Sequence, residues 1–120
     1  MTQTPTKKLT VQNGDTSQTL VMSYGMLGDV LRLSGIQDPN NIAAMVQDIE
    51  TRDLVIRRLF TDLPSRLENI DDLVNAFDLD LSPDTVDEIV VWVMEHLRDF
   101  LERQVRTAKA VFETAEQTPT

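Results

Sequence analysis

The 120 residues carry 20 acids against 11 bases, a formal charge of −9, at 13.6 kDa and a mean hydropathy of −0.21, the size of one domain with one modest core. Without cysteine and with a single histidine, the chain excludes a disulfide framework, a thiolate metal cluster, a cysteine nucleophile and histidine-pair chemistry. Aromatic residues are 5% against 41% hydrophobic, so the core must be mainly aliphatic, and no apolar run approaches the ~18 residues of a membrane span. Residues 1–8 contain lysines with no apolar stretch behind them, unlike a signal peptide, and the expected compartment is the cytoplasm.

Residues 1–6, rich in Thr, Gln and Pro, are expected to be a flexible terminus. Leu9 and Val11 then alternate with polar neighbours, and Asn13-Gly14-Asp15 separates them from a second extended stretch ending at Ser23, which reads as a β-hairpin. A two-residue Asn13-Gly14 loop would set Leu9 opposite Gln18. A loop over 13–16 sets it opposite Leu20, which buries better and is preferred. A lone hairpin is marginal in water, so this one needs cover from helices or from another chain.

Ser23 is placed to cap a helix over 24–34, with Gly35 as its stop. Gly25 and Gly28 within it would admit a close backbone neighbour. Asp38-Pro39-Asn40 opens a second short helix bearing Ile42, Met45, Val46 and Ile49 on one face. Thr51 is expected to cap a third over 52–60, with Leu54, Val55, Leu59 and Phe60 inward and Arg57 and Arg58 outward, ended before Pro64. Leu67, Ile70, Leu73, Val74 and Phe77 suggest a fourth short helix.

That fourth segment lies in the acidic quarter of the chain. Residues 61–90 hold nine acids against Arg66 alone, while 1–60 cancel and 91–120 carry −1. Such a field repels phosphate backbones and argues against nucleic-acid binding. It suits solubility first, and after that a basic partner or mimicry of DNA.

Ser82-Pro83 is a strong helix start, serine at N-cap and proline at N1. From Val86 the apolar positions run at spacings of three and four through Val93, Leu97, Leu101, Val105, Ala108, Val111 and Phe112. A helix over 83–115 would span about 50 Å, whereas a compact domain of this length is about 35 Å across. Leu101, Val105, Ala108, Val111 and Phe112 are therefore the candidate partner-binding residues. Either another chain covers them or the hairpin or first helix folds back to do so. The expected architecture is mainly α: an N-terminal hairpin, four short helices and one long C-terminal helix, with a body over 7–104 and an extension over 105–120.

No catalytic, cofactor or metal motif survives inspection. Asp78, Asp80, Ser82 and Asp84 alternate like a calcium loop, but Pro83 and Ile89 stand where that loop needs glycine and a bidentate glutamate. His96 follows Glu95 without the second histidine of a zinc helix. Adjacent acids such as Asp87 and Glu88 sit where a helix dipole favours anions. An enzyme is not expected.

The hairpin followed by Ser23-Tyr24-Gly25-Met26-Leu27, and the later Trp92–Leu101 segment, together resemble the small tail assembly chaperones of tailed bacteriophages. The resemblance rests on packing residues over the first third and that one later segment. It implies a non-enzymatic protein of the host cytoplasm that binds the helical tape measure protein, keeps it soluble and promotes tail assembly. The alternatives are a structural tail or baseplate component of the virion and an acidic, DNA-mimicking inhibitor of a basic host protein.

Overall fold

The computed structural model describes residues 4–117, with side chains through 113. Of the flexible terminus expected over 1–6 and the extension expected over 105–120, residues 1–3 and 118–120 lie outside the described residues. Strands β1 (Lys8–Asn13) and β2 (Thr16–Val21) pair antiparallel with Leu9 opposite Leu20, the register that places Val11 and Leu20 in the core. Gly14 and Asp15 form the turn. Gly14 takes φ +60° and Asp15 does not turn positive, the pattern of a II′ turn with glycine at its first central position. The tip is also tied down: Gly14 N donates to Asp80 O at 2.8 Å and Asp80 N to Asn13 Oδ1 at 2.8 Å. A Cβ on Gly14 would stand 3.2 Å from Asp80 Oδ2. Gly14→Ala is therefore expected to cost about 1–2 kcal/mol from the left-handed backbone alone, read as a lower urea midpoint at unchanged slope.

Helix α1 (Tyr24–Ser34) starts where Ser23 Oγ accepts from Met26 N at 3.1 Å, and stops at Gly35 with φ +68°. No backbone approaches Gly25 or Gly28; the nearest atoms to a Cβ at 28 belong to the Arg32 guanidinium. The second expected helix divides. Asp38 caps a single 3-10 turn, Pro39–Asn41, and α2 (Ala44–Gln47) follows as one α turn. The division leaves Val46 and Ile49 about half to two-thirds exposed rather than on a buried face.

Helix α3 (Ile49–Phe60) begins three residues earlier than the sequence indicates, because Asp48 and not Thr51 is its cap. Asp48 Oδ1 accepts from Glu50 N and Thr51 N, and Oδ2 accepts from the Thr51 hydroxyl at 2.9 Å. That hydroxyl, then the Thr51 backbone N–H, holds the Asp48 carboxyl below its ordinary range. α3 packs on α1 and α2, and β2 lies against it. Arg58, expected outward, is 3% exposed.

Between Pro64 and Ser82 the chain is a strap rather than an α-helix. Its helical content is two 3-10 turns, Ile70–Asp72 and Ala76–Asp78. Asn69 and Asn75 each accept the backbone N–H two residues on, and such local bonds compete with a continuous helix. Leu73 is the buried anchor of the strap, whereas Phe77 is wholly exposed and Ile70 half exposed.

Helix α4 (Pro83–Gln117) closes the structure. Ser82 Oγ accepts from Thr85 N at 3.1 Å, and Val86 N donates to Ser82 O. Ile89, Val93, Leu97 and Leu101 succeed one another at four-residue steps with no more than 3% exposure. The helix touches β1, α1, α2, α3 and the turn at Pro39–Asn41, and with this buried stripe α4 is the spine of the core. Among the described residues no helix is long and apolar enough to cross a membrane.

Candidate protein-binding surface

Thirty-five residues make α4 about 52 Å long, and the molecule measures 63 × 34 × 26 Å. Its radius of gyration is 16.6 Å, against about 13.5 Å for a compact chain of this length. The excess comes from the end of α4. Leu101 is the last residue of the helix that the body buries, and every described side chain from Arg103 to Glu113 is exposed.

Of the five candidate residues, Leu101 thus belongs to the core, because α1 and α4 still converge there. Val105, Val111 and Phe112 are 58%, 63% and 71% exposed, and Ala108 is exposed beside them. Neither the hairpin nor α1 folds back to cover them. The helical turn of 100° per residue sets Val105, Ala108 and Phe112 on one flank of α4, with Val111 towards the side that faces the body further back. Arg103, Arg106 and Lys109 interleave with these residues, and 103–112 holds no acid, on a chain whose net charge is −9. The exposed end is therefore an amphipathic, locally basic helix on an acidic body.

Two open grooves flank α4 before it leaves the body. One of about 450 Å³ lies between Leu31, Ile36 and Phe100. The other, about 370 Å³, has Pro39, Ile42 and Ala43 on one wall and Met94 and Arg98 on the other. Among the described residues no cluster of three or more His, Asp or Glu side chains is gathered for a metal ion.

Neither a scan against protein-family models nor searches of curated proteins and solved structures find a match to this chain. Its function is therefore read from the geometry.

Two polar groups that residue type alone did not reveal tie elements of the body together behind this surface. Asp29, 2% exposed, accepts from Arg58 Nε at 2.7 Å and from Leu67 N at 3.0 Å through Oδ2, while Oδ1 pairs with Arg32. Arg58 also donates to the carbonyls of Thr61, Leu63 and Ser65. One ion pair thereby binds α1, α3 and the start of the acidic strap. Burial pushes the Asp29 carboxyl up, but Arg58, the Leu67 N–H and Arg32 outweigh it and hold the group below its ordinary range.

The second group is at the N-terminus. Thr6, assigned by the sequence to a loose segment, has its carbonyl oxygen bonded by Trp92 Nε1 at 2.8 Å and by His96 Nε2 at 2.7 Å. A carbonyl only accepts, so His96 carries a proton on Nε2. The two rings meet edge to face at 5.1 Å. His96 is thus a packing and anchoring residue, one turn beyond Trp92 on the same face.

Proposed function

We propose that this chain is a non-enzymatic assembly chaperone or adaptor that lays the end of α4 against an amphipathic helix of a larger protein. The single observation that carries the reading is the exposed strip of Val105, Ala108, Val111 and Phe112 on a helix that outruns its own core. A helix face of this kind recognises another helix through anchors at i, i+3 and i+7, and 105, 108 and 112 have that spacing. The acidic body keeps the complex soluble.

Taken with the resemblance to phage tail assembly chaperones, the client is a tape measure protein, and the setting is the cytoplasm of the infected host. The test is co-expression with the tape measure protein of the same genome, reading the soluble fraction of the client. Soluble client in the presence of the wild-type chain is the expected result. Val105→Asp with Phe112→Asp is expected to abolish it, while far-UV circular dichroism still shows the folded helical chain, since its own body covers neither side chain. Client that stays soluble with the double variant would exclude this surface. Abundant copies of the chain in purified particles would favour the reading as a virion component.

A further inference from the structure

We infer that α4 also binds a second copy of this chain, antiparallel, with Phe112 of each copy seated in the groove between Met94 and the 39–43 segment of the other. The inference goes beyond the proposed client and does not depend on it; because both use Val105, Ala108 and Phe112, a client would displace the second copy.

The first support is continuity of one face. Val91, Arg98, Val105 and Phe112 recur at seven-residue intervals, with Met94, Leu101 and Ala108 three residues after the first three of them. This is the a/d repeat of a two-stranded coiled coil. The body covers its own side of this helix up to Leu101 but leaves the flank at Val91, Met94 and Arg98 open as the 370 Å³ groove. Beyond Leu101 the described apolar side chains of the helix stand exposed. Groove and strip lie on one face about 20–27 Å apart along the axis, too far for one straight helix to satisfy itself. Two helices related by a two-fold axis satisfy each other.

Antiparallel packing sets a positions against d positions of the partner. Aligning Phe112 with Met94 brings Ala108 against Arg98 and Val105 over the turn at Leu101, whose side chain its own body already buries. The small Ala108 leaves room for the aliphatic stem of Arg98, whose head reaches water.

Charge fixes the orientation. In this register Glu95 of each copy faces Lys109 of the other, giving two symmetric pairs. Neither Glu95, Arg98 nor Lys109 takes part in an ion pair among the described residues. The like-charged meeting of Glu102 with its twin at the axis is offset by Arg98 and Arg106, four residues to either side on the same helix. More broadly, 103–112, with three bases and no acid, lies along the acidic body of the other copy. A parallel pair would instead set basic tail beside basic tail.

The experiment is light scattering on the full chain at about 100 µM, where a micromolar interface is mostly occupied. The expected mass is twice the 13.6 kDa of one chain. Phe112→Asp removes two symmetric anchors and is expected to weaken the dimer by about a thousandfold, leaving one chain. Glu95→Lys is expected to dissociate it as well, and Glu95→Lys with Lys109→Glu to restore it. The chain lacks cysteine, so Met94→Cys with Phe112→Cys is expected to form an intermolecular disulfide on mild oxidation. A wild-type mass of one chain, no rescue by the charge exchange, or cross-linking by Phe112→Cys alone would each overturn the proposal. All are read without client, so their failure is separate from a failure of the co-expression test.

Discussion

Replacing Asp29 with alanine is expected to lower the free energy of unfolding by about 3–5 kcal/mol, the usual cost of removing one partner of a buried ion pair. The side chains of Asp29 and Arg58 are 1% and 3% exposed. Without Asp29, the guanidinium keeps its three loop carbonyls but remains as an uncompensated charge in the core, and the Leu67 N–H loses its acceptor. Since a domain of this size holds about 5–15 kcal/mol in all, the variant should unfold at a much lower urea concentration. Arg58→Ala is expected to be similarly damaging, because it also releases residues 61–65 from α3. Replacing both with apolar residues, Asp29→Leu with Arg58→Met, should cost less than the sum of the single changes. Equal or greater cost would show that the loop bonds and not the charge pairing dominate.

The same group gives the protein an acid limit. The Asp29 carboxyl is held below its ordinary range in the fold, whereas in the unfolded chain it returns to about 3.9. Its contribution is therefore complete above about pH 5, falls as pH approaches the unfolded value, and is lost as pH drops through the lower folded value. Asp29→Asn is expected to flatten the stability profile over that acid window while lowering stability at neutral pH. A profile as steep as wild type would assign acid sensitivity to other carboxylates.

Arg58 stands seven residues after Thr51 and three after Val55, and all three are buried. The helical spacing thus placed Arg58 on the inner face, but its residue type argued for solvent. Asp29, between Gly28 and Val30 on the apolar helix α1, carried the matching signal, yet a pairing across 29 residues needs knowledge of how α1 and α3 pack. Elements set by local chemistry were legible: the hairpin register by Leu9 and Leu20, α1 by Ser23 and Gly35, α4 by Ser82, Pro83 and its apolar stripe. The acidic strap was not, because Ile70, Leu73 and Phe77 have helical spacing while Asn69 and Asn75 impose separate turns. At the candidate surface, the exposed residues beyond Leu101 follow from helix length against domain size. Where the body stops covering α4 depends on loop routing, which spacing does not encode.

Trp92→Ala is expected to be the other severe substitution, costing about 3–5 kcal/mol as a large buried aromatic is removed. Trp92 is 4% exposed and lies on α4 between the buried Ile89 and Leu97 turns, so the cavity would open in the spine of the core. Its loss also removes one of the two donors that hold Thr6 O, and Lys7 O, the next carbonyl, accepts Met22 N to extend the hairpin pairing. The damage should therefore spread to the N-terminal strand, visible as faster amide exchange at β1 and at Met22. Trp92→Phe separates the two contributions. It keeps most of the ring volume and leaves His96 Nε2 on Thr6 O, so about 1–2 kcal/mol is expected from one lost hydrogen bond and a small void. Both variants must be followed by far-UV circular dichroism, since Trp92 is the chain's one tryptophan. If Trp92→Phe destabilised as much as Trp92→Ala, the indole N–H bond to Thr6 and not ring burial would be the main tie between the terminus and α4. If His96→Ala then weakened Trp92→Phe far more than it weakens wild type, the two donors would be shown to share a single anchoring task at that carbonyl.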